Sequence, residues 1–399
     1  MPVPGAAAPR RRRSWVVTTI AALLGLVAVL VTVLMTVPVP TTATALLALG
    51  IDGAQEITLV LLVAGLGLAL AAWRRRARAA TWLSGLCAAL MLVMTVVPGV
   101  ALARTASAEG STVSLGSYLG HGLSLGSGRP HDARTLTYAT VDGTGLKLDY
   151  LPAHGKARAG GSRPAVVYVH GGGWKIGSRE DGYPWGTWFT DRGYAVFTID
   201  YRLLPHADWQ TGPGDVKAAV GFVRDNADRF GVDPSDITLF GESAGGHLAM
   251  MAAYTQGDPM FPPTVPHPDT SVRAVINFYG TTDFDDALAH STAPGLIRAA
   301  TREYVGGTRE QQPDRWYASS PVHHVRPGLP ATLSVHGRDD RLIPPSQLRL
   351  LDAALARAGV PHRSVELPWA GHLFDLTRGN LATQVAGGVI DRFERHYAR

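Results

Sequence analysis

One serine of the chain lies in a motif that could make it a nucleophile. The motif Gly-Glu-Ser-Ala-Gly at 241–245 follows the apolar run 237–240 and precedes a helix-prone stretch. This pattern predicts a strand, a sharp turn that carries Ser243, and a helix whose N-terminus directs amide groups toward the serine oxygen. The alternative is an ordinary glycine-rich turn. The choice between them depends on whether catalytic partners occur elsewhere in the chain.

A glycine-rich loop that could bind a developing negative charge lies upstream of this serine. The sequence His-Gly-Gly-Gly-Trp at 170–174 follows the β-branched run 166–169. The amides of Gly172 and Gly173, together with that of Ala244, could surround the oxygen that becomes negative when an ester carbonyl turns tetrahedral. A phosphate-binding loop is the alternative, but the lysine and the serine or threonine of a P-loop are missing at their spacing.

An acid and a histidine follow the serine in the order that such a site requires. The strand-like run 331–335 leads to the acidic pair Asp339 and Asp340, and a second run, 363–367, leads to His372. We expect His372 to take the serine proton and return it to a leaving alcohol. Either carboxylate could orient the histidine; Asp340 is favoured, and Asp339 competes for the role.

Two aromatic residues adjoin the predicted functional loops. Trp174 ends the glycine-rich segment, and Tyr201 follows the strand-like run 194–199. Both are candidates for substrate binding, although an aromatic side chain beside a core strand more often packs against its neighbours. Several other histidines are interpreted as surface or structural groups, namely His206, His247, His323 and His324. The scattered histidines show no metal-ligand spacing, so no metal site is predicted.

Taken together, the motifs resemble those of the α/β-hydrolases of the hormone-sensitive-lipase and feruloyl-esterase-like carboxylesterase type. The resemblance covers about residues 135–399 and rests on five segments: 170–174, Asp-Tyr-Arg-Leu at 200–203, 241–246, His-Gly-x-x-Asp at 336–340 and Gly-His at 371–372. It implies a triad of Ser243, Asp340 and His372, an oxyanion hole in the glycine-rich loop, and no cofactor. Glu242 and the form of the acid loop favour the feruloyl-esterase-like branch without fixing the substrate.

Hydrophobic patterning over residues 135–399 predicts an α/β fold. Strand-like runs occur at 135–140, 146–151, 165–169, 194–199, 237–240, 274–278, 331–335 and 364–367, and helical patterns occur at 215–230, 245–254, 346–358 and 383–396. The first two runs are predicted to form a hairpin around Asp142 and Gly143. Alternating strands and helices imply a mostly parallel sheet flanked by helices, with ligands at the C-terminal ends of the strands. Two insertions, 256–269 and 281–325, could shape a pocket. For the second, a helical cap is favoured over a surface excursion.

The first hundred residues have a different character. Three apolar runs without charge, 15–37, 57–73 and 79–103, approach or exceed the length of about 20 residues that spans a bilayer core. Residues 1–104 are therefore predicted to form an all-α transmembrane region with three spans. A cleaved signal peptide is the alternative for the first run, but that run is longer than the usual apolar stretch of about 7 to 15 residues.

The distribution of arginine predicts how these spans are oriented. Arginines cluster before the first span, at 10–13, and between the second and third, at 74–78. By the positive-inside rule the N-terminus is cytoplasmic, so three spans place the hydrolase domain outside the cell membrane. Small-residue motifs within 101–108 could allow release by cleavage, although retention is favoured. Residues 105–134 are rich in glycine and serine and are interpreted as a flexible linker.

Charge and cysteine content exclude several classes of protein. The net charge is +5, but residues 1–104 contain nine arginines and two acids, which leaves the remainder at −2. The basic balance therefore reflects membrane topology, and nucleic-acid binding is not predicted. The sole cysteine, Cys87, lies within the third span, so an intrachain disulfide is excluded.

The function hypothesis is a membrane-anchored serine hydrolase that cleaves carboxylic esters through an acyl-enzyme, with short acyl chains preferred. Its expected partners are a small-molecule, lipid or glycan ester and the lipid bilayer. A serine peptidase or an acyltransferase acting on envelope glycans or lipids is an alternative on the same triad. A catalytically silent module that uses the hydrolase fold for binding is the alternative from another class.

Overall fold

Three long helices precede an eight-stranded sheet in the computed structural model of the protein, which describes residues 10–37, 47, 50, 56–121, 124, 128–154 and 161–397. These helices, α1 to α3, are long and apolar enough to cross a membrane, and they comprise Arg10–Thr36, Ile57–Arg74 and Arg78–Ala108. Many of their large apolar side chains are exposed, which suits contact with lipid. The helices agree with the three predicted spans.

Small and hydroxylated residues join α2 to α3. A Cβ atom added to Gly65 would lie 3.2 Å from the Cβ of Ala88, so glycine permits the close approach of the two backbones. The hydroxyl groups of Thr58 and Thr95 are 2.9 Å apart and form a hydrogen bond between the same helices. Packing through small residues and interhelical hydrogen bonds is typical of helices in a bilayer.

The sheet has the order β1-β2-β4-β3-β5-β6-β7-β8. Its strands are Arg134–Val141, Thr144–Leu151, Arg163–Val169, Ala195–Ile199, Val232–Glu242, Ala274–Phe278, Ala331–Gly337 and His362–Leu367. The pairs β1–β2 and β2–β4 are antiparallel, and the other pairs are parallel. Asp142 and Gly143 form the predicted hairpin turn with φ angles of 48° and 77°. The predicted α/β class is confirmed.

Helices connect the strands and cover both faces of the sheet. After α4 (Leu115–His121), they are α5 to α8, at Tyr183–Thr190, Thr211–Asp225, Ala227–Phe230 and Ala244–Tyr254, and α9 to α13, at Phe284–His290, Pro294–Val305, Pro313–Ala318, Ser346–Arg357 and Leu381–Tyr397. Short 3-10 turns occur at Arg179–Gly182 and Pro321–His324. The single helix predicted over 215–230 is divided at Asn226, whose side-chain amide donates to the Phe222 carbonyl at 2.8 Å.

The central strands contribute alternate side chains to two hydrophobic layers. Val167 and Leu239 belong to the layer that α6 and α8 cover, whereas Val166 and Phe240 belong to the layer that α5 and α13 cover. This alternation follows from the two-residue period of a strand. It explains why the central strands are near-continuous apolar runs in the sequence, since both faces are buried.

The segment interpreted as a flexible linker, 105–134, instead contacts the hydrolase domain. Helix α3 continues to Ala108, and the next residue, Glu109, forms an ion pair with Arg363 at 2.5 Å. The amide of Ser114 donates to the Gln384 side chain at 2.6 Å. Composition alone suggested a tether, but these polar residues have partners more than 250 residues away in sequence.

Candidate active site

Ser243 lies on a sharp turn between β5 and α8, where the sequence predicts it. Its backbone has φ 52° and ψ −120°, which is strained for a residue with a side chain. A Cβ atom on Gly245 would lie 2.0 Å from the Val169 oxygen, and one on Gly241 would lie 2.2 Å from the Gly245 oxygen. The turn therefore requires glycine at both positions, and it leaves Ser243 at the C-terminal end of β5.

Two consecutive hydrogen bonds join the three residues predicted to form the triad. The Oγ of Ser243 is 3.0 Å from Nε2 of His372, and Nδ1 of His372 is 2.7 Å from Oδ2 of Asp340. When the serine hydroxyl donates a hydrogen bond to Nε2, the N–H group at Nδ1 donates a hydrogen bond to the carboxylate. His372 and Asp340 are both buried, so water does not compete for the hydrogen bond between them.

The surroundings of Asp340 keep its carboxylate ionised. Burial alone would raise the pKa of Asp340, but His372, His336 and their hydrogen bonds outweigh burial and lower that pKa to about 2. The other carboxylate oxygen accepts the amides of Leu342 and Ile343, each at 2.9 Å. Asp340 can therefore stabilise an imidazolium ion on His372.

Asp339, the competing acid, lies in a different environment. Its side chain is half-buried, and burial raises its pKa. It is Asp340 that contacts His372.

His336 had no predicted role, yet its Nε2 is 2.8 Å from the Ile343 carbonyl and 3.2 Å from Asp340. The His-Gly-x-x-Asp spacing was the available signal, because residues four apart at the end of a strand can meet across a tight turn.

The glycine-rich loop passes directly beside the serine. A Cβ atom on Gly171 would lie 3.4 Å from the Cβ of Ser243. Gly172 and Gly173 have φ angles of 106° and 59°, which glycine adopts without strain. Among the backbone bonds of the described loops, none uses the amide of Gly172 or Gly173, and the amide of Ala244 is at the start of α8, where it has no intrahelical acceptor. These three donors are available to an anion.

Both aromatic candidates for substrate binding are buried and support this loop. The Tyr201 hydroxyl donates to the His170 carbonyl at 3.1 Å, and the two rings stack with centroids 4.3 Å apart. Trp174 donates from Nε1 to Nδ1 of His247 at 3.3 Å and stacks on Tyr304 of α10 at 4.5 Å. Their contacts are thus with the protein, and contact with substrate stays a prediction. Phe284 and Tyr304, both from the insertion 281–325, pack against the ring of Trp174.

A family model described as BD-FAE matches residues 150–355, which is more than half of the chain. The chain belongs to the BD-FAE family. The resemblance to feruloyl-esterase-like α/β-hydrolases is therefore confirmed. The matched range contains the glycine-rich loop, the turn that carries Ser243, and Asp340, and His372 lies 17 residues beyond its end.

Relatives of this BD-FAE chain carry esterase names. It is 37% identical over 221 residues to Esterase LipC of Mycobacterium tuberculosis, covering 54% of each chain. It is 35% identical over 241 residues to Esterase LipQ of the same organism, covering 59% of this chain and 56% of the relative. The chain spans about half the length of the curated relatives it matches.

Solved esterases share the fold of the BD-FAE chain. Esterase 2 of Thermogutta terrifontis phosphoramylated by tabun aligns with a TM-score of 0.57 and 30% identity, covering 67% of this chain and 96% of the esterase. The propionate-bound form of that enzyme aligns with a TM-score of 0.56 and 31% identity, covering 67% of this chain and 94% of the esterase. The described segments of the BD-FAE chain contain no group of three or more His, Cys, Asp or Glu residues that could hold a metal ion.

Two carboxyl groups that the sequence did not connect lie beneath the nucleophile turn of the BD-FAE chain. Glu242, which precedes Ser243, accepts a hydrogen bond from the Tyr168 hydroxyl at 2.8 Å. Asp375 accepts from the Tyr279 hydroxyl and from Nε1 of Trp185. Burial is the largest cause that raises the pKa of Glu242 well above its ordinary value, and the nearby Asp375 raises it further. The raised pKa favours the neutral form of Glu242, which avoids a buried negative charge next to the Asp375 carboxyl group.

We predict that this pair makes stability fall as pH rises. Because the folded-state pKa of Glu242 exceeds the unfolded value near 4.5, its contribution is complete below that value and is lost as pH rises through the folded pKa. Glu242→Gln removes the titration, so its melting temperature relative to wild type should increase as pH rises above the unfolded value near 4.5. Exposed Glu180→Gln is the matched control. If the melting temperatures of all three proteins changed with pH by the same amount, the prediction would be contradicted.

Proposed function

We propose that the protein is a serine hydrolase that cleaves carboxylic esters through an acyl-enzyme. The single observation that carries this proposal is the pair of hydrogen bonds that joins Ser243 to His372 and His372 to Asp340. The glycine-rich loop beside Ser243 supplies free amides, as acyl transfer requires. The esterase names of the relatives support the same reaction class.

The proposed mechanism assigns one role to each group. Ser243 attacks the ester carbonyl while His372 takes its proton, and the amides of Gly172, Gly173 and Ala244 bind the oxyanion. His372 then donates the proton to the leaving alcohol, which leaves the acyl group on Ser243. In the second half, His372 activates water, the acyl–oxygen bond breaks, and the proton returns to Ser243. Asp340 holds the histidine tautomer throughout.

A preference for short acyl chains is part of the proposal. Esterase 2 of Thermogutta terrifontis has been solved with propionate and with butyrate bound, and about two thirds of the present chain aligns with it. Beside the oxyanion loop, the bulky Trp174, Phe284 and Tyr304 pack tightly against one another, which limits the space on that side. A site closed in this way accommodates a few carbons more readily than a long chain.

The full chain, purified in detergent, should hydrolyse p-nitrophenyl butyrate at least about tenfold faster, as kcat/KM, than p-nitrophenyl palmitate, because methylenes that do not fit lose their binding energy. Rates should be measured below the critical micelle concentration of each ester. A higher value for palmitate would contradict the short-chain preference. Transfer of the acyl group to an added alcohol in place of hydrolysis would indicate an acyltransferase.

We also propose that the protein is a multi-pass protein of the cell membrane with a cytoplasmic N-terminus and an extracytoplasmic catalytic domain. The proposed division is a membrane region at 1–104, a linker at 105–134 and a catalytic domain at 135–399. The three apolar helices support this proposal, as does the arginine cluster 74–78. That cluster is at the end of the bundle away from Glu109, which pairs with the catalytic domain.

Cysteine labelling tests this topology directly, because Cys87 is the sole cysteine and is buried in α3. In intact cells, a membrane-impermeant maleimide should label Ser235→Cys on the exposed surface of the catalytic domain. It should label Arg75→Cys, between the second and third spans, only after permeabilisation. The unchanged chain is the background control. The opposite labelling pattern would reverse the proposed orientation.

A further inference from the structure

The helical bundle is docked on the loop that carries the proposed acid. Arg341 directly follows Asp340, and its Nη1 donates to the Leu34 carbonyl near the end of α1 at 2.5 Å. A cavity of about 520 Å³ lies between that end of α1 and this loop; among its lining residues are Met35, Thr36, Asp339, Asp340 and Arg341. The acid of the triad is therefore held at the end of a predicted membrane span.

The loop that carries the proposed base contacts the same end of the bundle. Trp369, three residues before His372, packs against the apolar cluster that includes Met35 and Leu61. Thr377, five residues after His372, donates to the Glu56 carboxylate at the start of α2 at 3.5 Å, and both side chains are buried. These contacts fix the histidine loop against the helices, where a flexible tether would leave it free.

The position of these contacts along α1 defines their depth in a bilayer. The apolar part of α1, Trp15–Thr36, has 22 residues. At about 1.5 Å per residue it spans about 33 Å, close to the hydrocarbon thickness of about 30 Å. Leu34 and Met35 then lie at the outer boundary of the hydrocarbon, where the polar parts of lipids begin. The acid and base loops are at that same level.

The stereochemistry of the reaction identifies which part of the substrate faces this boundary. Nε2 of His372 must reach both the Oγ of Ser243 and the oxygen of the leaving alcohol. The alcohol therefore lies on the histidine side of the ester, whereas the carbonyl oxygen points to the glycine-rich loop. Leu376, an apolar residue four positions after His372, is 39% exposed on that side. The histidine side is the one docked on the bundle.

We propose that the substrate is a short-chain acyl ester whose alcohol is anchored in the outer leaflet, either as a lipid or as a lipid-linked alcohol. The proposal rests on the esterase function and on the orientation given above. Hydrolysis breaks the bond between the acyl carbon and the alcohol oxygen, and water supplies the hydroxyl group of the acid and the proton of the alcohol. The alcohol stays in the leaflet, and the short carboxylic acid leaves into water.

The test uses the full chain reconstituted into phosphatidylcholine vesicles with two butyryl esters of the same hydroxycoumarin. One coumarin bears a hexadecyl chain and inserts into the vesicle, and the other bears a sulfonate and stays in water. Per active site accessible to a fluorophosphonate, the inserted ester should react at least about tenfold faster at equal bulk concentration, because confinement to one surface raises its effective concentration. Its rate should also fall when extra phospholipid dilutes it in the surface.

A pair of variants separates docking from simple tethering. Arg341→Gln removes the hydrogen bond to α1, whereas Arg349→Gln, on the exposed side of α12, removes only a surface contact with Glu366. Arg341→Gln should lower the rate on the inserted ester by about tenfold, because loss of the docking contact shifts the site relative to the leaflet that holds this ester's alcohol, and a small misplacement of the ester has a large effect on rate. Its rate on the soluble ester should change by less than about twofold. Arg349→Gln should match wild type on both esters.

The two proposals fail in different ways. If neither ester reacts and Ser243 is not labelled, the esterase function itself is wrong. If the soluble ester reacts as fast as the inserted one, or if surface dilution has no effect, the membrane-anchored substrate is wrong while the esterase stands. Equal loss on both esters in Arg341→Gln would mean that Arg341 supports the acid loop and not the presentation of a membrane substrate, which would also overturn the inference.

Discussion

Ser243→Ala is expected to lower kcat for p-nitrophenyl butyrate by on the order of 10⁶-fold, the loss typical of a serine that acts as a unit with its base. The reason is the short contact of its Oγ with Nε2 of His372, which alanine removes without other change. Alanine keeps the Cβ atom on the strained turn, so the protein should fold. The measurement is steady-state hydrolysis by the full chain in detergent.

Ser235→Ala is the matched control for this substitution. Ser235 is an exposed serine whose hydroxyl contacts Asp233, far along β5 from the turn. Its substitution should leave kcat within about twofold, as surface changes do. If Ser243→Ala kept more than about one hundredth of the wild-type kcat while folded, another nucleophile or a different site would have to carry the reaction.

Asp340→Asn is expected to lower kcat by about 10⁴-fold, whereas Asp339→Asn should lower it by less than about threefold. An asparagine at 340 can present its amide to Nδ1 of His372, which stabilises the tautomer that cannot accept the Ser243 proton. It also removes the negative charge that stabilises the imidazolium. Asp339 makes neither contribution, because the contact with Nδ1 belongs to its neighbour.

The two asparagine variants should be compared at the same pH and with their melting temperatures recorded. The low pKa of Asp340, about 2, means that its ionisation does not shape the rate profile near neutral pH, so the difference between the variants should persist from about pH 6 to about pH 9. Equal losses of kcat in the two variants, or a larger loss in Asp339→Asn, would contradict the assignment of Asp340 as the acid.

Local sequence patterns were sufficient to predict much of the fold. The apolar, β-branched runs before the glycine-rich loop and before the turn that carries Ser243 are both central strands in the structure. A strand that is buried on both faces needs apolar side chains at every position. Asp142 and Gly143 predicted a hairpin because both tolerate positive φ. The order of serine, acid and histidine predicted which loops meet at one edge of a parallel sheet.

Other features depend on contacts between distant parts of the chain, which no local pattern contains. The choice of Asp340 over Asp339 depends on the turn after β7, where a Cβ on Gly337 would lie 2.2 Å from the Ala370 oxygen. The proximity of Glu242 to Asp375 joins residues that are 133 positions apart in the sequence. The docking of Glu109 on Arg363 is of the same kind, and the glycine and serine content of residues 105–134 gives no sign of it.

Covalent labelling of the full chain by a fluorophosphonate, followed by intact mass and peptide mapping, tests the serine-hydrolase proposal most directly. We predict one phosphonyl group per chain, located on Ser243, with labelling strongly slowed in His372→Ala because the base no longer activates the serine. A folded chain that takes up no label, or that carries it on another residue, would contradict the proposal that Ser243 is the nucleophile.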